Sequence, residues 1–306
     1  MAILGNRKNC DTTVKNLGVP DCIINNGRVT GFIAVSPTWS VDIDSGTFTS
    51  ATTNNLIQDH TFIPVLGAVE VVNGTPEATT EEYQGGIMSV VRNGLPMFTF
   101  KFLKGWAYAR ALFSMNSFQA YKVLLVFEDG SIAGALDGTT LSGYSIGMLN
   151  TGTYFHTDGS VSGYVNTVIQ LTSTTEYNLN TYVLDRTEIG FDANLLNPIT
   201  DITLTGRADA SDNKIYIKAK FTQNLSSNLL GLAIANLKAY LAGTSDTITA
   251  ITYNSSTEEY ALTPTTAVVA AQSWVVQLYD SVNTVAVAKV GTRYYEGTTT
   301  AIIAVA

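Results

Sequence analysis

Residues 87–136 read IMSVVRNGLPMFTFKFLKGWAYARALFSMNSFQAYKVLLVFEDGSIAGAL, and this stretch decides the fold class. Ile87–Val91 and Met97–Phe102 are short apolar runs joined by Arg92-Asn93-Gly94-Leu95-Pro96, and Asn-Gly between two such runs predicts a β-hairpin. The period then changes. Over Lys104–Phe118 the residues Trp106, Ala109 and Phe113 recur at i, i+3 and i+7 with Leu112 beside them, which predicts a helix whose apolar stripe, Trp106 and Phe113 included, faces the core. Tyr121–Phe127 is again strand-like, the turn Glu128-Asp129-Gly130-Ser131 reverses the chain, and Ile132–Leu136 returns. The expected class is mainly β, an N-terminal β-sandwich or barrel with one flanking helix.

Towards the N-terminus, Val29–Val35 reads as a strand and Val41–Asp44 alternates as a half-buried one. Phe62–Val72 is β-branched around Pro64, which places that position at an edge or a bulge. Asn73–Gly86 (NGTPEATTEEYQGG) is polar, without periodicity and bounded by turn residues. Aperiodic loops of this length inside compact domains tend to be functional or disordered. Val161–Leu171 and Tyr177–Leu184 add two strands.

A boundary falls between Glu188 and Ile202, giving domains 1–195 and 196–306. Beyond it come short strands at close spacing (Ile202–Leu204, Lys214–Phe221, Ile248–Tyr253, Tyr260–Leu262, Trp274–Tyr279 and Val285–Val290), the pattern of an Ig-like β-sandwich. Leu230, Ile234, Leu237 and Leu241 step by four, three and four, which predicts a short helix over Asn228–Leu241.

Only 14% of the 306 residues are charged, where about 25% is typical, and Thr, Ser, Asn and Gly fill the deficit. Low charge with a mean hydropathy of +0.16 suggests that other subunits cover much of the surface. The net charge of −8 and a pI near 4.7 leave no basic footprint for gripping DNA. No apolar run is long enough for a transmembrane helix, and the N-terminus lacks a secretory pattern. Cys10 and Cys22 are too few for a disulfide framework. They are expected reduced, a single Cys10–Cys22 bridge being the alternative.

Chemistry-bearing patterns are sparse. His60 and His156 have no H-x-x-x-H or Cys-rich partner and read as surface or interface residues. Gly143-Tyr144-Ser145-Ile146-Gly147 fits G-x-S-x-G, but no acid separates Ser145 from His156, and a Gly-rich turn between strands is expected instead. Asp42 and Asp44 read as solvated carboxylates, and Glu128–Gly130 and Asp209–Asp212 as turns rather than calcium loops. No Gly-rich phosphate loop occurs. The expectation is a non-enzymatic protein without cofactor or metal. With 15 Tyr, 12 Phe and 3 Trp, the aromatics suit either packed interfaces or glycan binding.

The order of elements from Gly86 to Leu149 resembles the β-barrel-plus-helix unit of the tail-tube (major tail) proteins of tailed bacteriophages. The segment from Pro198 to Ala306, with Tyr253–Tyr260 as a strand-turn-strand piece, resembles the Ig-like domain that some members carry. The resemblance implies a structural virion protein of the tail, assembled in the host cytoplasm. Its partners would be copies of itself in stacked, hexameric rings, other virion proteins, and DNA in transient passage. Asn73, Gly74, Glu77, Glu81, Glu82, Tyr83, Gly85 and Gly86 are then the candidate inter-ring contact loop, with glycines as hinges. A decoration, baseplate or head-fibre protein, or a surface adhesin or glycan-binding module, is the alternative.

Overall fold

A computed structural model describes residues 27–44, 46–84 and 86–305, the Ile87 side chain excepted; Cys10 and Cys22 lie outside the described residues. The chain divides into two compact units, Met1–Leu196 and Asn197–Ala306. Both are mainly β, and their curled sheets make sandwich-like layers.

The first unit opens with β1 (Val29–Val35), β2 (Ser40–Asp42), α1 (Ser50–Gln58), β3 (Phe62–Leu66), β4 (Glu70–Asn73), β5 (Thr79–Tyr83) and β6 (Ile87–Arg92). It continues through β7 (Met97–Phe102), α2 (Trp106–Ser114), β8 (Lys122–Phe127), β9 (Ile132–Asp137), β10 (Thr140–Ser142) and β11 (Tyr144–Thr151). The remainder is β12 (Val165–Leu171), α3 (Thr174–Asn178), β13 (Thr181–Leu184) and α4 (Arg186–Ile189). The sheet runs β2-β10-β9-β8-β11-β12-β7-β4, with β1 joining β8 to β3 and β13 on β9. Pro64 sits on β3, which among the described residues pairs with β1 alone, the edge position in which a missing N–H is tolerated.

β7 alternates perfectly. Phe98, Phe100 and Phe102 are buried while Met97, Thr99 and Lys101 are partly exposed. Phe100 meets Phe32 of β1 with ring centroids 5.0 Å apart, so the two halves of the sheet close face to face. β1 and β8 are apolar on both faces because the reverse side is covered too. There Trp39, Phe48 and Phe62 form an aromatic cluster, with Trp39–Phe62 centroids 4.8 Å apart, and α1 lies against β3. α1 was not legible as a helix. It buries only Thr53, Ile57 and Gln58, and its start is fixed by a capping box between Thr49 and Thr52.

The hairpin expected across Asn93-Gly94 does not form. Both edges of β7 are occupied, by β4 (Glu70↔Lys101 to Asn73↔Phe98) and by β12 (Val165↔Phe102 to Gln170↔Met97), so β6 pairs with β5 instead.

The predicted helix exists as the shorter α2, but its stripe is rotated. Ala109, Leu112 and the following Met115 are buried, whereas Trp106 and Phe113 are each 60% exposed, correcting the expectation that both face the core. Tertiary bonds set this rotation. The Asn116 amide accepts from Thr151 N at 2.6 Å and donates to Thr151 O at 3.2 Å, and Thr151 Oγ1 donates to Leu112 O at 3.3 Å. Tyr108 packs its ring on Phe102 at 5.5 Å, and burial pushes its phenol well above the usual tyrosine range. Among the described residues the first unit has four helices where one was expected.

The stretch 186–195 belongs to the first unit rather than to an open linker. Asn194 donates to Phe127 O at 2.8 Å and accepts from Thr30 at 2.7 Å, while Ile189 and Ala193 are buried.

The second unit comprises β14 (Ile199–Asp209), β15 (Lys214–Phe221), β16 (Asn224–Asn228), β17 (Leu237–Leu241), β18 (Thr244–Asp246) and β19 (Ile248–Asn254). β20 (Glu259–Pro264), β21 (Ser273–Leu278), β22 (Val287–Val290), β23 (Arg293–Glu296) and β24 (Ile302–Val305) complete it around the fully buried Trp274. Its sheet runs β18-β17-β21-β24-β14-β15-β20-β19. The helix expected over Asn228–Leu241 is replaced by a 3-10 turn, Ile234–Asn236, and by β17. Gly231 at φ 84° stops helical propagation, and Leu237 to Leu241 pair in full with Leu278 to Trp274.

The rotation of α2 gives a sharp contrast in stability. Leu112→Ala is expected to lower unfolding free energy by about 2–5 kcal/mol, and Phe113→Ala by about 0.5 kcal/mol or less. Denaturant melts of the two variants measure the difference; equal losses contradict the rotation.

Candidate assembly surface

The β4–β7 ladder does not end at the sheet. Beyond Asn73↔Phe98 it is continued by Gly74 N, which donates to Met97 O at 2.8 Å. Asn73 Oδ1 accepts from both Thr75 N (3.0 Å) and Thr75 Oγ1 (2.6 Å), and Met97 N donates to Thr75 Oγ1 at 3.2 Å. These bonds aim the two chains away from the body together. At the neck they touch: a Cβ on Gly94 would lie 1.7 Å from Pro76 O. That contact explains the glycine of Asn93-Gly94, which serves a crossing of backbones and not a two-residue turn. An open crevice of about 190 Å³ at this neck is lined by Pro76, Glu77, Arg92 and Gln170, among others.

Past the neck, β5 and β6 form a ribbon that among the described residues pairs with no other strand. Its register is Thr79↔Arg92, then, after a bulge, Thr80↔Val90, Glu81↔Ser89, Glu82↔Met88 and Tyr83↔Ile87. Gly86, at φ 77°, closes the tip and donates its N–H to Tyr83 O at 3.1 Å. Every residue of β5 is exposed. On β6, Met88, Val90 and Val91 are 65%, 58% and 61% exposed.

The predicted contact residues are thus gathered on one arm, but not as a loop. Asn73 ends β4, Gly74 extends its ladder, Glu77 lies at the neck, and Glu81, Glu82 and Tyr83 are strand residues. Of the three glycines, Gly86 makes the turn, Gly74 is a ladder position rather than a hinge, and Gly85 lies outside the described residues. The Tyr83 hydroxyl donates to Glu81 at 3.3 Å along one face of the strand. Sequence reasoning missed the arm because a strand with no buried face carries no alternation to read. The exposed Met88 and Val90 were the available signal.

A second exposed cluster surrounds the other end of β7. Trp106, at the start of α2, lies 4.9 Å from the Tyr154 ring and 5.3 Å from His156, which are themselves 5.5 Å apart. Phe155 stacks on Tyr164 at 4.7 Å, and the Lys101 ammonium lies 4.6 Å over Tyr164. Lys104 donates to Leu66 O at 2.9 Å and sits 4.1 Å over the Tyr108 ring; partial burial lowers its pKa below the usual lysine value.

No protein-family model matches the chain, and no curated protein is similar to it. Among the described residues no group of three His, Cys, Asp or Glu side chains could hold a metal ion. No helix among them is long and apolar enough to cross a membrane. Ser145 lies on β11 and not in a turn between strands, and its hydroxyl donates to Glu176 at 3.1 Å, so G-x-S-x-G here is no nucleophile elbow. His60 and His156 are remote in the chain; His60 adopts φ 57° after α1, and His156 joins the aromatic cluster.

Gly94→Ala is expected to force the neck apart. Amides of β5 and β6 should then exchange faster with solvent, while those of β7 and β12 keep their protection. Hydrogen exchange resolved by peptide makes the comparison; unchanged exchange in the arm refutes the crossing.

Proposed function

We propose that the chain is a structural subunit that assembles with copies of itself, and specifically a tail-tube subunit of a tailed bacteriophage. The observation that carries this reading is the β5–β6 arm. A two-stranded ribbon is marginal in water on its own, and ordering each of its residues costs about 1–2 kcal/mol. The arm nevertheless leaves Met88, Val90, Val91 and Tyr83 exposed and touches little of its own subunit beyond the neck. A partner surface that buries those side chains supplies the missing stabilisation.

The remaining features support the same reading. A sandwich with few charged residues suits a ring packed against neighbours, and an acidic protein lets DNA slide without the phosphate contacts that would hold it. In this reading the first unit forms the ring, the arm bridges stacked rings, and the second unit is an Ig-like decoration. A glycan-binding module is the second reading, favoured by the exposed rings of Trp106 and His156 beside the half-buried Tyr154.

Replacing residues 76–95 with Asn-Gly joins Thr75 to Pro96 at the point where the ladder ends. The shortened protein is expected to fold with an unchanged melting temperature and to lose long assemblies in negative-stain images. Tubes of normal length from it would remove the arm as the bridging element, and a wild-type protein that stays monomeric at every concentration would remove the assembly reading itself.

A further inference from the structure

The arm and the aromatic cluster occupy opposite ends of one strand. The arm leaves the sheet beside Met97, the first residue of β7. At the last residue, Phe102, the pairing Val165↔Phe102 brings the β11–β12 connection alongside, with Tyr154, Phe155 and His156, and α2 begins there with Trp106. Met97 and Phe102 are the two ends of β7, about 17 Å apart along the strand, and one surface adjoins each end.

Their chemistry is complementary. The arm carries Glu77, Glu81 and Glu82 against the single Arg92, with Met88 and Val90 sharing a face with Glu82. From Met97 to Phe127 the chain contains Lys101, Lys104, Arg110 and Lys122 and no acidic residue. Of these, Lys101 is already paired with Glu70 at 3.4 Å. Lys104 and Arg110 form no ion pair among the described residues, and Arg110 follows Trp106 by one helical turn, on the same exposed stripe. Asp158 is the acid on the neighbouring connection, held by its own turn through bonds to Ser160 N and Val161 N.

We infer that the β5–β6 arm of one copy docks on the surface formed by Trp106, Tyr154, His156, Lys104 and Arg110 of a second copy. The inference rests on the self-assembly reading and gives it a direction. Because donor and acceptor surfaces differ and lie at opposite ends of one strand, the contact is heterologous: each copy offers a free arm at one end and a free acceptor at the other. Such contacts propagate into open stacks rather than closing as two-fold dimers. Glu82 would face the Lys104 and Arg110 cations, and Met88 and Val90, on the same face of the ribbon, would cover the exposed Trp106 ring.

Two variants, each keeping both units, test the direction. One has residues 76–95 replaced by Asn-Gly and keeps the acceptor; the other carries Lys104→Glu, Trp106→Ala and Arg110→Glu and keeps the arm. Trp106 and Arg110 are exposed, Lys104→Glu gives up the bond to Leu66 O and the contact with the Tyr108 ring, and unchanged thermal melts confirm that each variant folds. Light scattering after size exclusion is expected to show that neither variant alone stacks, while an equimolar mixture yields one species of twice the mass and none longer. Trp106→Ala alone is expected to raise the concentration needed for stacking about 30-fold, the loss typical of a central interface tryptophan. If the acceptor variant stacks as wild type does, arms meet one another or another surface, and the inference falls while self-assembly stands. Folded variants that fail to combine on mixing overturn it equally. A wild-type chain that never associates overturns both the inference and the proposed function.

Discussion

Strand β7 is the constraint on which the first unit depends. Its three buried phenylalanines form the inner column of the core, and the Phe32–Phe100 contact at 5.0 Å closes one half of the sheet on the other. Both of its edges are hydrogen-bonded, so no further strand can join it. The paths of the chain into and out of β7 follow from that saturation. The chain before β7 cannot pair with it through a tight turn, so β6 turns away and makes a ribbon with β5. The chain after β7 has no edge to return to, so it crosses the end of the sheet as α2.

The polar bonds around Thr151 and Asn116 act on the same geometry. They fix not only where α2 lies but which of its faces is wet, and they do so at the end of the helix remote from Trp106. A helix with large apolar side chains on two sides has no unique orientation from hydrophobicity alone. Ala109, which lets the helix approach the sheet closely, and Leu112, which fills the gap, win the inner face because the Asn116 clamp admits only that rotation. Trp106 and Phe113 are left outside. An exposed tryptophan flanked by Tyr154 and His156 is energetically tolerable in a monomer, since ring contacts already shield part of its area. It is also a surface that gains by being covered.

Much of the architecture was legible in single strands. Val29–Val35, Met97–Phe102 and Lys214–Phe221 were readable because burial on one or both faces imposes apolar alternation or an apolar run, a local property that tertiary context leaves intact. Of the candidate surface, the acidic residues Glu77, Glu81 and Glu82 were visible as an unusual polar insertion, but the strand character of Glu81 and Glu82 was not. The aromatic cluster was hidden altogether, because Trp106 and Tyr154 are far apart in the chain and are brought together by the β7–β12 pairing.

The sequence by itself determined the class of fold, since runs such as Val123–Val126 and the alternation of Phe98, Phe100 and Phe102 can be satisfied only by buried β-sheet. It also determined a protein of low charge with an acidic balance, because composition is independent of conformation. Tertiary structure alone decided which strands pair, which face of α2 is buried and where the arm leaves the body. The physical reason is that these are competitions between alternatives of similar local free energy. Asn93-Gly94 could have closed a hairpin, and Leu230–Leu241 could have formed a helix. The outcome was set by partners distant in sequence, namely β12 and β4 holding both edges of β7, Pro76 O pressing on Gly94, and β21 pairing with β17.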